Sequence, residues 1–448
     1  MAPSVTGHSV SSLSNSGTDV SSSEADVSNI ETALSAGHSA FDNRGRSNGK
    51  TIAVIGSGIA GLSAAWLLSK KHSVTLFEKD DRFGGHSNTV TVNTPDGLIP
   101  VDTGFIVYNP TNYPNLTALF KHLNVDTAAT EMSFAVSAEE GRIEYNGNGL
   151  RGIFPSLGNV FNPRIWRMLK DVLRFYKESE SWQAVLSEDV TLGELLKNHH
   201  YSDDFRDLHL IPMGAAIWST PADQMMNYPA LAFLRFCKNH GLLQVDDRPQ
   251  WHSVRGGSRE YVSKLIHEIQ PATFCNLGVR QIIRAQDKTG KNSKVTVIDS
   301  RGEQREFDDV VLACHADQAL QLLANPTQQE QHLLGAFGYQ RNKAILHSDT
   351  ALMPKNRKVW SSWNYLRGRD DDLRDQQSLA VSYWMNKLQA LDTDQPMIVT
   401  LNPPIEPEEG SIHCSFLYDH PVFDRNAIAA QKELHQLQGQ QNTWFCGS

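Results

Sequence analysis

Three glycines and a carboxylate carry the clearest chemical signal in this chain. In T-I-A-V-I-G-S-G-I-A-G-L-S-A-A-W-L-L-S-K-K-H-S-V-T-L-F-E-K-D, Gly56, Gly58 and Gly61 stand at G-x-G-x-x-G spacing, and Glu78 follows Gly56 by 22 residues. Gly56 permits a tight turn, Gly58 lets a pyrophosphate approach the backbone, and Gly61 lets a helix pack close to a strand. Ser57, Ile59 and Ala60 fill out the loop, whose free N–H groups face the phosphates at a helix N-terminus. Glu78 is placed to accept hydrogen bonds from the adenosine ribose hydroxyls, and Lys79 beside it joins the candidate set. The loop alone would also suit an ordinary Gly-rich turn. Its setting makes it specific: Ile52–Ile55 reads as a buried parallel strand, Leu62–Leu68 as an apolar helix and Val74–Phe77 as a second strand. Strand, helix, strand and acid in register predict a dinucleotide-binding unit.

The next residues narrow the dinucleotide. K-D-D-R-F-G-G-H supplies Gly84, Gly85 and His86, completing E-x5-G-G-H, and V-D-T-G-F supplies Asp102, Thr103 and Gly104. This opening resembles the FAD-dependent family that contains the flavin amine oxidases, protoporphyrinogen oxidase and phytoene desaturase. The resemblance spans about residues 51 to 448 and implies an FAD cofactor, with all of these residues at the cofactor site. His86 stands where that family carries Arg, and a neutral imidazole is a weaker phosphate partner than a guanidinium. W-H-S-V-R-G-G-S-R-E-Y-V-S-K-L, Trp251 to Leu265, is similar to the segment by which such chains return to the FAD domain. The resemblance further implies that Val279 binds adenine through its backbone. It also implies that Lys343 holds a water against the flavin and assists its reoxidation; a surface lysine at a strand entrance is the plainer alternative.

The fold expected is therefore α/β, a Rossmann-type FAD-binding domain with an interleaved α+β substrate domain. The FAD domain takes residues 51–130 and 251–330, the substrate domain 131–250 and 331–434, and 435–448 begins a last FAD-binding segment. Thr443-Trp444-Phe445-Cys446-Gly447-Ser448 resembles the family's late strand and Gly turn, which places Gly447 at the cofactor. In relatives a helix of roughly 20 or more residues follows. On this reading the chain is truncated and would bind FAD less well than a full-length relative. Cys446 is then a buried strand residue rather than a covalent flavin anchor.

Outside the nucleotide motifs the signals are weaker. Thr191-x-x-Glu194 predicts a capping box. Trp218 is either a pocket wall or a core residue. Arg164, Arg167, Lys170, Arg174 and Lys177 recur at helical spacing opposite Ile165, Leu169, Val172 and Tyr176. Such a basic amphipathic helix can rest on a membrane and admit a lipid, or be the solvated face of a packed helix. G-R-S-N-G, residues 45–49, fits G-x-S-x-G but sits in polar coil, without the strand and helix that a nucleophile elbow needs.

Composition sets the outer bounds. A net charge of -9 argues against generic attraction to nucleic acid or anionic lipid, although it leaves room for a local basic patch. Five dispersed cysteines read as reduced thiols in a cytoplasmic protein and show no metal-ligand spacing. The Ser-rich residues 1–50 predict a disordered tail that is neither a signal peptide nor a transit peptide. No apolar run is long enough to span a bilayer. Branch members that share D-T-G-F-I-V-Y-N and S-S-W-N-Y often occur beside cyclopropane-fatty-acyl-phospholipid synthases. The resemblance thus implies hydride transfer between flavin N5 and a carbon centre of an amine or of an unsaturated or modified fatty acyl chain. An NAD(P)-dependent dehydrogenase and a non-catalytic nucleotide-binding protein stand as alternatives; the oligomeric state is left open.

Overall fold

The computed structural model describes residues 49–447 except 219–224, 245–247, 270–271, 285–293 and 368–378. The tail, residues 45–48 of the G-x-S-x-G match and the Trp218 side chain lie outside the described residues.

Five parallel strands form the nucleotide sheet, in the order β10 (Thr273–Phe274), β2 (Ser73–Phe77), β1 (Thr51–Ile55), β14 (Asp309–Leu312) and β20 (Thr443–Phe445). β1 is apolar and buried from Ile52 to Ile55 because both faces are covered, as parallel sheets require. One face packs Leu62 and Ala65 of helix Ile59–Ser69 and Tyr261 and Leu265 of helix Arg259–Ile269. The other packs Ile282, Val295, Val297 and Phe307 from the antiparallel strands β11 (Val279–Arg284), β12 (Val295–Asp299) and β13 (Gln304–Phe307). The strand predicted near the end forms, with Val310 opposite Thr443 and Leu312 opposite Phe445. Cys446 corrects the expectation made for it: the strand stops at Phe445, and Cys446 is exposed beyond it.

A second, mixed sheet of seven strands organises the larger core. Its order is β19 (Ile412–Val422), β15 (Gly338–His347), β18 (Ile398–Leu401), β17 (Leu379–Trp384), β16 (Trp363–Arg367), β7 (Phe134–Ala138) and β8 (Ile143–Asn146). Strands far apart in sequence thus share one sheet. Helix Pro163–Val185 lays Ile165, Met168, Val172 and Phe175 into the associated core, which also contains Val136, Phe205, Phe233 and Tyr365. Thr191 and Glu194 form the predicted capping box, each side chain bonding the other's backbone N–H. Two smaller pieces complete the strand inventory: the hairpin β3 (Thr89–Thr94) and β4 (Gly97–Asp102), and the ribbon β5 (Val107–Tyr108), β9 (Trp251–Val254) and β6 (Thr127–Thr130).

Candidate nucleotide cradle and apolar cavity

The turn after β1 is shaped by contacts that exclude side chains. Gly56 has φ +101°, and a Cβ there would lie 2.7 Å from the Ala313 carbonyl oxygen. A Cβ on Gly61 would lie 1.9 Å from the Gly56 oxygen, so helix and turn close only with glycine. Gly58 differs. Its ideal Cβ meets nothing within 4 Å, so the backbone there faces open space. Gly58 is the N-cap of helix Ile59–Ser69 and provides no side-chain cap, which leaves the first-turn N–H groups for a ligand.

Glu78 is buried at the end of β2 and braces this turn. Its Oε2 accepts from Ser57 N–H at 2.9 Å and from the Ser57 hydroxyl at 2.5 Å, while Oε1 accepts from Asp80 N–H at 2.9 Å. A carboxylate offers about four acceptor sites, so capacity for ribose hydroxyls persists. Gly84 N–H reaches back to Ser57, and a Cβ on Gly85 would approach Gly58 Cα to 3.1 Å, so the G-G-H turn lies directly on the first loop. The segment before Val279 lies beside Glu78 and Lys79: Leu277 N–H donates to the Glu78 carbonyl at 2.8 Å, and a Cβ on Gly278 would meet Lys79 Cβ at 3.1 Å. Gly447 packs on the same rim, its ideal Cβ 1.8 Å from the Cys314 oxygen.

Arg82 was missed in the sequence reading, which counted the glycines of E-x5-G-G-H and passed over the base two residues before Gly84. Its Nη1 is buried with no hydrogen-bond partner among the described residues. Buried polar atoms are rarely left unpaired, and a guanidinium nitrogen beside a phosphate-type turn fits an anionic ligand.

From the cradle the structure opens into a cavity of about 730 Å³ through His86, Thr103 and Gly104. A Cβ on Gly104 would lie 2.2 Å from the His86 oxygen, and Phe105 N–H donates to that oxygen at 2.8 Å, so the D-T-G-F segment is clamped onto the G-G-H turn. Burial, followed by the nearby His420, His315 and Arg82, lowers the His86 pKa to about 4, which leaves the imidazole neutral at pH 7. Tyr418 and His420 of β19 face it, at ring distances of 4.9 and 5.7 Å. These two come from the far end of the chain, and no motif marks them. Deeper in, Phe105, Met132, Phe236, Trp251, Trp363 and Tyr383 make the wall predominantly apolar and aromatic.

The side chains of two candidates are engaged within the protein. Asp102 is absent from the cavity wall: its carboxylate accepts from Ser258 N–H and Oγ at 2.9 and 2.8 Å and from Thr89 Oγ1 at 2.6 Å. It therefore fastens the end of β4 to the start of helix Arg259–Ile269 and positions its neighbours Thr103 and Gly104. Lys343 sits opposite Leu417, which is exposed, whereas Tyr418 and His420 on the alternate positions of β19 line the cavity. Side chains alternate across a strand, so Lys343 points away from the cavity, and its ammonium pairs with Glu406 at 2.6 Å.

Burial also shapes acid stability. His86, His209 and His347 are each pulled down from 6.5 to about 4, and Asp102 is pushed up from 3.8 to about 6. Between pH 6.5 and 4 the unfolded imidazoles bind protons that the folded ones refuse, so their contribution is full above 6.5 and lost on acidification. Asp102 acts oppositely: its contribution is full below 3.8 and is lost as pH rises through 6. Three imidazoles outweigh one carboxylate, so thermal unfolding should shift to lower temperature from pH 7 to 5. A flat or rising midpoint would contradict this.

The family of NAD(P)-binding Rossmann-like domains matches residues 54–123. Amine oxidase [flavin-containing] A of Sus scrofa is 26% identical over 234 residues, covering 48% of this chain and 41% of its own length. The amine oxidase [flavin-containing] of Oncorhynchus mykiss is 24% identical over 290 residues, covering 61% and 52%. The chain thus spans about half or less of the length of these curated relatives. Cyclohexylamine oxidase from Brevibacterium oxydans superposes with a TM-score of 0.63 at 15% identity, covering 89% of this chain and 93% of that one. Its fold is that of the amine-oxidase-like flavoproteins. The CLA-producing fatty acid isomerase from P. acnes shares it, with a TM-score of 0.61, 15% identity and coverage of 91% and 95%. In this amine-oxidase-like fold the cradle and the cavity meet at the G-G-H turn, the junction described above.

Proposed function

We propose that the protein is an FAD-dependent oxidoreductase acting on a carbon centre of an apolar substrate, an amine or an unsaturated or modified fatty acyl chain. The observation that carries this is the junction itself: a dinucleotide cradle and an apolar cavity share His86, Thr103 and Gly104. FAD, when bound, supplies the hydride acceptor at N5. The chain's residues fit that group. The open backbone at Gly58, the uncapped N–H groups of Ile59 and Ala60, and the unpartnered Arg82 nitrogen suit a diphosphate; Glu78 suits a ribose. We read residues 51–130 and 251–330 as the domain that holds the cofactor, with 131–250 and 331–434 shaping the substrate cavity.

The cavity favours the acyl chain over a polyamine. Among the described residues Glu131 is the carboxylate on its wall, and Lys387 already neutralises it at 2.8 Å. A cationic substrate would lose its hydration there without gaining a free counter-charge. An alkyl chain loses nothing by the same transfer and gains about 0.8 kcal/mol per buried methylene. Arg248 and His240, also on the wall, suit an anionic or polar head better than an ammonium.

The test is anaerobic mixing of FAD-loaded protein with unsaturated fatty acids in one arm and with putrescine and benzylamine in the other, followed by flavin bleaching and product analysis. Bleaching or acyl product in the first arm is expected. Turnover confined to amines would overturn the substrate reading, and none in either arm would overturn the enzymatic one. Lys343→Met should leave the rate of flavin reoxidation by oxygen within about twofold, because exposed ion pairs contribute little and the side chain points away from the cavity. A large drop in that rate would restore the family-like role.

A further inference from the structure

The apolar patch formed by residues 150–166 is exposed to solvent in a chain that buries most of its large side chains. Leu150, Leu157 and Phe161 are 72%, 76% and 81% exposed, and Trp166 and Val160 are open as well. They form one surface. Phe154 N–H bonds the Leu150 carbonyl, the Phe154 ring packs on Trp166 at 4.9 Å, Trp166 Nε1–H donates to the Val160 carbonyl at 2.8 Å, and Phe161 N–H bonds Leu157. Two short helices, Gly149–Ile153 and Leu157–Val160, and the first turns of helix Pro163–Val185 present it.

Charge identifies what covers the patch. From Gly147 to Lys170 there are four Arg or Lys residues and no Asp or Glu, in a chain whose net charge is -9. Arg164 and Arg167 are held by Asp204, and Arg164 also by Glu139. Arg151 and Lys170 are exposed and have no carboxylate partner among the described residues. The turn bearing the exposed Lys355, Arg357 and Lys358 is tied to β8, the strand that leads into the patch, through Glu144 and Asn146. Exposed Leu, Phe and Trp among unpaired bases are the composition of a segment that lies in a lipid interface, the apolar side chains below the headgroups and the bases at their level.

We propose that the surface around Leu150, Leu157, Phe161 and Trp166 docks the protein onto an anionic lipid bilayer. This differs from a contact through the basic stripe of helix 164–177, part of which is committed to ion pairs within the protein: Arg174 also pairs with Asp171 and stacks on Tyr201. The place of the patch matters for access. Asn148, two residues before Leu150, lines the cavity and bonds Glu131 on its wall. The docked face therefore adjoins the cavity, so an acyl chain could pass from bilayer to site. That consequence rests on the function proposed above, whereas the docking does not.

Sedimentation of the full chain with vesicles tests it, using phosphatidylcholine alone and phosphatidylcholine mixed with an equal part of phosphatidylglycerol. Binding to the mixed vesicles, weakened by salt and weak on phosphatidylcholine alone, is expected. The double variant Leu157→Asp, Phe161→Asp should bind at least about tenfold less, because both side chains are solvent-exposed and their loss affects the bilayer rather than the core. Leu98→Asp, at an equally exposed position on β4, should bind as the parent does. Unaltered melting of each variant separates docking from misfolding. Equal binding by the double variant, no binding by the parent, or a parent dimer that this double substitution dissociates would each overturn the proposal. Vesicle binding without acyl turnover would leave docking standing and remove the substrate reading alone.

Discussion

A Gly58→Val variant should fold as the parent does and fail to retain flavin. Gly58 has φ -60° and ψ 174°, extended backbone that a β-branched residue adopts without strain, and its Cβ direction is open. Among the described residues no atom beyond the chain neighbours lies within 4 Å of the new Cβ, so the melting temperature without cofactor should move by no more than about 2 °C. The isopropyl group would instead occupy the space through which a diphosphate reaches the first-turn N–H groups. Losing that approach should weaken FAD binding by about a thousandfold, or roughly 4 kcal/mol. Gly61→Val makes the contrast: its Cβ would lie 1.9 Å from the Gly56 oxygen, so stability and binding should fall together. Flavin fluorescence titration and thermal melts of both variants separate the two cases. A Gly58→Val protein that binds FAD normally would place the cofactor elsewhere.

Arg82→Met should weaken FAD binding by about a hundredfold without destabilising the protein alone. The buried Nη1 atom gains no hydrogen bond from the described residues, so the folded chain bears its desolvation without return. Methionine removes that cost and keeps most of the aliphatic volume. With a bound diphosphate the balance reverses, because a charge-assisted hydrogen bond contributes about 1.5–3 kcal/mol. Arg82→Lys should recover part of the loss, since charge survives while the fork does not. An unchanged affinity together with a lower melting temperature would assign Arg82 a structural role.

What could be read from the sequence, and what could not, follows from how far apart the contacting residues lie. Gly56, Gly58, Gly61 and Glu78 belong to one strand-helix-strand unit, and local spacing determines their meeting. Lys343 stayed between two readings because its role depends on strand parity: one residue along β15 changes the face, and only the pairing with β19 reveals which face holds the cavity. Asp102 lies in a motif that resembles a flavin contact, yet Ser258, 156 residues away, occupies its carboxylate. Tyr418 and His420 reach His86 from more than 300 residues on, in a segment with no signature. The patch at Leu157 and Phe161 was hidden for a different reason. An apolar residue in a sequence reads as core, and only the packed structure shows that these two are left outside.

The most direct test of the account is the absorption spectrum of the purified protein after incubation with FAD and gel filtration, recorded before and after anaerobic addition of an unsaturated fatty acid. The expected result is the two-banded spectrum of oxidised flavin, bleaching on acyl addition or acyl product formation, and neither feature in the Gly58→Val protein. A colourless parent, or flavin held equally by the Gly58→Val protein, would contradict it.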